Sequence, residues 1–168
     1  MEKLLIEPGV GIGQIKLGMT RAEVDSIVEQ YVYKYENGTE YPNFFENILK
    51  FEYDQSGKVK FIEVASDIKI FFECICYEVD VFNTKADSLI SRISQEAQYA
   101  EDTSGETQYL FIDIGLSLWR ASVLKEEDMQ ENWFIEMDVE TQEEEKRFMY
   151  FQAIAVYPND GLYYKGLI

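Results

Sequence analysis

The sequence predicts an α+β protein in which two principal helices pack on a mostly antiparallel sheet. Apolar residues recur at helical spacing in two segments, about residues 20–32 and 84–97. Much of the remaining chain forms short alternating or aromatic runs between turn signals, which is typical of antiparallel strands. With 168 residues, 46% of them hydrophobic, the chain has the size and apolar content of one domain, residues 1–168.

The first helix begins at Thr20. Thr20 and Glu23 fit the capping-box pattern, in which each side chain binds a free backbone amide of the first turn. Four apolar residues follow at helical spacing and form one stripe against a core: Val24, Ile27, Val28 and Tyr31. The second helix starts near Thr84 and carries a comparable stripe at Ala86, Leu89, Ile90, Ile93 and Ala97.

After the first helix the pattern changes to a two-residue period. Tyr33 and Tyr35 alternate with charged residues ahead of Asn37-Gly38, a pair typical of type I′ turns. The pattern therefore predicts a tyrosine-rich hairpin, with Tyr41 on the returning strand.

The other strands are predicted from apolar runs. Residues 48–53 and 59–65 predict a hairpin joined through Asp54-Gln55-Ser56-Gly57, and residues 68–82 predict one long strand covered on both faces for part of its length. Four further strands are predicted after the second helix, over residues 109–114, 116–123, 133–139 and 148–157.

This order of elements suggests a tandem α-β-β-β duplication over about residues 1–82 and 83–168. Phe61-Ile62-Glu63 in the first half has a counterpart in Phe134-Ile135-Glu136 in the second. The alternative is that any two α+β halves of similar composition look alike.

The chain contains no histidine, which excludes Ser-His-Asp and Cys-His nucleophilic systems and the usual zinc sites. Ser66 and Lys69 match an S-x-x-K pattern, but the companion motifs of serine–lysine enzymes are absent. Cys74 and Cys76 are predicted to be buried, reduced thiols. We predict no catalytic, cofactor or metal site and no enzyme activity. A carboxylate-dependent hydrolase or a small-ligand carrier stays open as an alternative, because 32 acidic residues guarantee some close carboxylate pairs.

The formal net charge is −17, with 32 acidic against 15 basic residues. A field of this sign repels nucleic acids and anionic membranes and attracts basic proteins. The N-terminal apolar run is only three residues long, far shorter than a signal-peptide core, so we expect a cytoplasmic protein. The alternative interpretation of the charge is solubility alone.

Negative charge is densest over residues 126–145, which hold ten acidic residues and no lysine or arginine. A strand at 133–139 places Trp133, Ile135, Met137 and Val139 on a buried face and carboxylates on the other. The predicted partner-binding residues are this carboxylate ladder and the acidic loop before it: Glu126, Glu127, Asp128, Glu136, Asp138 and Glu140. The tyrosine-rich hairpin around Tyr33, Tyr35 and Tyr41 is the second candidate surface. The alternative is a solvated strand face between two acidic turns.

Residues 17–24, Leu-Gly-Met-Thr-Arg-Ala-Glu-Val, resemble the opening of small bacterial proteins with the fold of the β-lactamase inhibitor protein and of the SmpA/OmlA outer-membrane assembly lipoprotein. The resemblance implies helices behind a curved antiparallel sheet whose concave face grips another protein. The chain has no lipobox cysteine and no disulfide pair, which favours a cytosolic relative.

In overall character the chain also resembles the immunity proteins that neutralise bacterial polymorphic or contact-dependent toxins. That resemblance implies an inhibitor of a basic toxin domain, for example a nuclease, and transfers no binding residues. A structural or regulatory module of a larger assembly is a further alternative.

Overall fold

The computed structural model describes residues 1–100 and 105–165. Ten strands occur in this part of the chain: β1 (Glu2–Glu7), β2 (Gly11–Ile12), β3 (Ile15–Lys16), β4 (Leu49–Tyr53), β5 (Val59–Ala65), β6 (Phe72–Cys76), β7 (Val79–Asp80), β8 (Gln108–Phe111), β9 (Leu116–Trp119) and β10 (Ala153–Val156). They form two five-stranded sheets, in the orders β3-β2-β1-β6-β7 and β4-β5-β10-β9-β8. Strands β1 and β6 pair in parallel, and the other described pairings are antiparallel. The α+β class and the mostly antiparallel pairing are confirmed, with two sheets in place of one.

Five α-helices accompany the strands in the described residues: α1 (Arg21–Tyr31), α2 (Phe44–Ile48), α3 (Ala86–Ile93), α4 (Asn132–Ile135) and α5 (Val139–Glu145). A π-helical turn, Val32–Glu36, continues α1. Single 3₁₀ turns lie at Ser66–Ile70, Ile112–Ile114, Glu127–Gln130 and Lys146–Met149.

One large apolar cluster joins both sheets to the first three helices. Its members include Phe45, Ile62, Leu89, Phe111 and Ile154, all fully buried. Burying side chains of this size removes apolar surface from water and supplies most of the driving force for folding. A smaller, separate cluster contains Leu124, Phe134, Phe148 and Met149. The smaller cluster underlies the acidic part of the chain.

The first predicted helix is confirmed together with its cap. The backbone amide of Glu23 donates to the Thr20 hydroxyl at 3.3 Å, and the amide of Thr20 donates to the Glu23 carboxylate at 2.7 Å. The bond from the Thr20 backbone holds the pKa of Glu23 below its ordinary value. The second helix is also present, but it is shorter than residues 84–97 and begins after Lys85, which makes no side-chain cap.

The predicted hairpin at 33–42 is wrong. The chain continues from α1 through the π-helical turn, so that Tyr31 and Tyr35 both reach Phe72, with ring centroids 5.8 and 4.9 Å away. Asn37 (φ −62°, ψ 111°) and Gly38 (φ 81°) then have the geometry of a type II turn, not type I′. Aromatic packing on the core outweighs the short alternating pattern.

The predicted long strand at 68–82 is also wrong. A 3₁₀ turn precedes β6, and Tyr77 and Glu78 then reverse the chain so that β6 pairs antiparallel with β7. Both turn residues have positive φ, 47° and 67°, as a type I′ turn requires. Neither residue is Asn or Gly, so the sequence contains no signal for this turn.

The hairpin of β4 and β5 is confirmed, and the carboxylate of Asp54 accepts from the backbone amides of Ser56 and Lys58 across its loop. Strands β8, β9 and β10 lie within or beside the predicted runs but are shorter.

Cys74 and Cys76 are buried in the core without a disulfide, and burial raises the pKa of each thiol to about 12.

Candidate functional site

The acidic segment is helical, so the predicted strand at 133–139 and its carboxylate ladder are wrong. Phe134 and Met137, three residues apart, face the small cluster, whereas Trp133, Ile135 and Val139 face solvent. Helical spacing at Phe134 and Met137 therefore overrides the alternation that predicted a strand. It follows that Phe61-Ile62-Glu63, in a strand, and Phe134-Ile135-Glu136, at a helix, do not match in structure.

Helix α5 begins with an N-cap at Asp138. Its carboxylate accepts from the Thr141 backbone amide at 2.9 Å and from the Thr141 hydroxyl at 2.8 Å. The Gln142 amide nitrogen donates to the backbone carbonyls of Phe134 and Met137, both at 3.1 Å. Asp138 thus satisfies a free amide at the start of α5, and Gln142 of α5 joins this helix to the end of α4.

We call residues 124–150 the acidic lobe. Its small core packs Leu124, Phe134, Phe148 and Met149 together. Arg120, only 2% exposed, holds the lobe to the second sheet, because its guanidinium donates to the Phe148 carbonyl at 3.1 Å and to the Glu106 carbonyl at 3.0 Å. The lobe therefore has its own packing and a fixed attachment.

The acidic lobe contains all six predicted carboxylates. Glu126 pairs with Lys85, and Asp128 accepts from the backbone amide of Lys125 at 2.7 Å. The hydrogen bond from Lys85 holds the pKa of Glu126 below its ordinary value. Asp138 caps α5, and the remaining three are exposed at separate places: Glu127 on a 3₁₀ turn, Glu136 at the end of α4, and Glu140 in the first turn of α5. The structure brings them together on one lobe, but not in a row.

Three apolar side chains on the lobe are exposed, and sequence reasoning placed them in the core. The exposed fractions are 47% for Trp133, 58% for Ile135 and 75% for Val139. Two signals in the sequence could have shown this: the i, i+3 spacing of Phe134 and Met137, and the N-cap pattern of Asp138 before a Glu-rich run.

The three predicted tyrosines do not share one surface. Tyr35 is packed among core aromatics, and its hydroxyl donates to the Glu2 carboxylate. Burial, and to a smaller extent this hydrogen bond, raise the pKa of Tyr35. Tyr33 is 77% exposed and Tyr41 is 46% exposed, with the Tyr41 ring edge-on to Phe44 at 6.0 Å. Tyr35 therefore has a structural role, and Tyr33 and Tyr41 remain available for contacts.

Within residues 1–100 and 105–165, no group of three or more cysteines or carboxylates is placed to hold a metal ion. No helix in the same residues combines the length and the apolar character needed to cross a bilayer.

No protein-family model matches the chain, and neither a curated protein nor a solved structure matches it.

The cap at Asp138 gives a testable pH dependence. The bonds from the Thr141 backbone and hydroxyl hold the pKa of Asp138 below its ordinary 3.8. A group with a lowered pKa stabilises the fold above its ordinary value, and this stabilisation is lost as the pH falls through the lowered value. We expect the Thr141 amide signal in NMR spectra to titrate below pH 3.8, with faster amide exchange in α5 over the same range.

Asp138→Asn is the matched variant, because asparagine is also a good N-cap but does not titrate. This variant should lose the Thr141 titration while α5 persists at neutral pH. A midpoint at or above 3.8 in the wild-type protein would contradict the assigned cap.

Proposed function

We propose that this chain is an acidic cytoplasmic binding protein, specifically an immunity-type inhibitor that neutralises a basic toxin domain by direct contact. A nuclease domain fits this role, since its own site must hold polyanions and is therefore cationic. The net charge of −17 supports the proposal, because complementary charge accelerates association. The absence of histidine supports binding in place of catalysis.

The observation that carries the proposal is the composition of the acidic lobe. Exposed carboxylates such as Glu136 and Glu140 lie in the same short segment as exposed Trp133, Ile135 and Val139. Interfaces obtain most of their affinity from a few side chains, among which tryptophan is enriched, while charges at the rim set the association rate and the specificity. The lobe offers both kinds of group on a packed support.

The test uses the basic protein that co-purifies with the tagged chain from its native host, identified by mass spectrometry and then expressed pure. Glu136→Gln/Asp138→Asn/Glu140→Gln should slow its association about tenfold at low salt and flatten the salt dependence. Trp133→Ala should instead speed dissociation about tenfold, because it removes apolar contact area. Both variants should protect cells from the partner less well than the wild-type protein.

The matched control is Glu40→Gln/Glu78→Gln/Asp113→Asn, which removes three exposed charges outside the lobe. It should change association much less than the lobe variant does. If both triple variants slow association equally, only the overall charge matters and the lobe is not the contact surface. A partner that is itself acidic, with a flat salt dependence, would overturn the proposed function.

A further inference from the structure

A groove of about 660 Å³ lies between α1 and β4, and none of its lining residues belongs to the acidic lobe. We call it the α1–β4 groove. Its walls are apolar: Val28 and Val32 line the helical side, and Leu49 and Phe51 line the strand side. The fully buried ring of Phe45 also contributes to the lining. This volume is in the range of sites that enclose a small molecule or a few side chains.

The groove exists because α1 covers only part of an edge strand. Strand β4 is at the end of the second sheet, and Leu49, Phe51 and Tyr53 lie on one face of it. At the Tyr53 end the guanidinium of Arg21 covers the ring, 4.2 Å from its centroid. At the other end Leu49 and Phe51 are half-buried and line the opening.

The rim of the groove is negatively charged. Asp25 and Glu29, one helical turn apart on α1, and Glu46 on α2 line it, and all three are exposed. No lysine or arginine lines the groove, and the ion pairs of the described residues include none of these carboxylates. Two like charges at i, i+4 repel each other, so a bound cation relieves a cost that the free protein bears.

One exposed ring completes the opening. Tyr33, on the π-helical turn, also lines the groove and is 77% exposed. An exposed aromatic face beside carboxylates is suited to a guanidinium or ammonium group, which binds ring faces as well as anions. Single π-helical turns within helices often occur at functional sites.

We propose that the α1–β4 groove binds a basic peptide segment of the partner protein. One large apolar side chain of that segment inserts between Val28 and Phe51, and flanking lysines or arginines contact Asp25, Glu29 and Glu46. Nucleic acids and anionic lipids are repelled by this rim, and so is a second copy of a chain with a net charge of −17. This inference rests on the proposed function, since it gives the same basic partner a second contact.

The test is an NMR titration of the isotopically labelled protein with three blocked pentapeptides. Their sequences are Arg-Lys-Phe-Lys-Arg, Arg-Lys-Gly-Lys-Arg and Glu-Asp-Phe-Asp-Glu. We expect the first to shift the signals of Val28, Val32 and Leu49 and to bind at least tenfold more tightly than the second. The acidic peptide should leave these signals unchanged.

Two matched variants locate the binding. Asp25→Asn/Glu29→Gln/Glu46→Gln should weaken binding of the phenylalanine peptide about tenfold, and the lobe variant Glu136→Gln/Asp138→Asn/Glu140→Gln should leave it unchanged. Equal affinity for the glycine peptide, or shifts confined to the acidic lobe, would overturn the inference. So would benzylammonium binding as tightly as the peptide, which indicates a small-ligand site, or concentration-dependent self-association through the groove.

The inference and the proposed function can fail separately. If the groove variant binds and neutralises the basic partner as well as the wild-type protein does, the groove proposal is wrong and the proposed function stands. If the peptides bind the groove as described while the chain recognises no basic protein in cells, the groove stands and the proposed function is wrong.

Discussion

Gly115→Ala should destabilise the protein by roughly 4 kcal/mol, because the site has neither the backbone freedom nor the space for a side chain. Gly115 has φ +68°, and an added Cβ would lie 2.0 Å from the carbonyl oxygen of Tyr157. Backbone atoms form this contact, so no rotation of a side chain relieves it.

Gly115 also joins the two sheets. Its carbonyl accepts from the amide of Gly9, in the turn after β1, at 3.3 Å, and from the amide of Tyr157, after β10, at 3.1 Å. A shift that accommodates a methyl group at residue 115 therefore disturbs both sheets at once.

The measurement is urea unfolding at neutral pH of Gly115→Ala and of a matched glycine variant. Gly57 has φ +77° with open space around its Cα, so Gly57→Ala isolates the cost of the backbone conformation, about 1 kcal/mol. The midpoint of Gly115→Ala should be far below that of Gly57→Ala. Equal midpoints would show that the Tyr157 contact is relieved cheaply.

The parts of the fold that the sequence predicts correctly depend on local signals. The capping box of Thr20 and Glu23 and the Asp54 turn between β4 and β5 are satisfied by residues within four positions of one another. Such interactions involve only residues that are close in sequence, and their residue types are specific. Both elements appear in the structure at the predicted positions.

The parts that the sequence mispredicts depend on distant contacts. Tyr35 stays helical because it packs on Phe72, and Glu78 accepts a positive φ because β6 and β7 pair across it. Neither condition can be seen from neighbouring residues. The correct α+β class came from the many periodic segments together, so it was unaffected by these local errors.

The sequence predicts which segment is densely acidic, but it does not predict the conformation of that segment. The acidic composition of residues 126–145 identified the lobe, because charge of that density has to stay in solvent. Its conformation was mispredicted because two patterns overlap in the same residues. Trp133, Ile135, Met137 and Val139 alternate as in a strand, whereas Phe134 and Met137 have helical spacing. The α1–β4 groove could not be predicted, since Glu29 on α1 and Phe51 on β4 are 22 residues apart in the sequence and line the same groove only in the folded chain.

Arg120→Ala should lower stability by roughly 3 kcal/mol and should loosen the acidic lobe before the sheets. The guanidinium supplies the hydrogen bonds to the carbonyls of Glu106 and Phe148, and it lies 5.4 Å from the centroid of the Phe151 ring. Burial lowers the pKa of Arg120, because the charged guanidinium loses hydration in the folded protein. Removing the side chain leaves the buried Phe148 carbonyl with only the longer bond from the Leu124 amide, at 3.4 Å, and leaves a gap under the lobe.

Arg147→Ala is the matched control. Its guanidinium lies 4.7 Å from the Phe148 ring, but the residue is exposed, so the loss should be no more than about 1 kcal/mol. Hydrogen exchange of the native protein separates the two effects. In Arg120→Ala the amides of α4 and α5 should exchange far faster than those of β5 and β10. If both variants exchange alike, Arg120 does not anchor the lobe.

The same two variants separate charge from geometry in binding. Each removes one positive charge and changes the net charge from −17 to −18. If attraction of a basic partner depended only on overall charge, both variants would associate slightly faster than the wild-type protein. If the partner requires an ordered lobe, Arg120→Ala should associate several-fold more slowly than the wild-type protein, because only a fraction of the Arg120→Ala molecules present the lobe in a competent form. Arg147→Ala should not associate more slowly. Association rates against the purified partner at two salt concentrations distinguish the outcomes, and a faster Arg120→Ala would show that the order of the lobe is not needed for recognition.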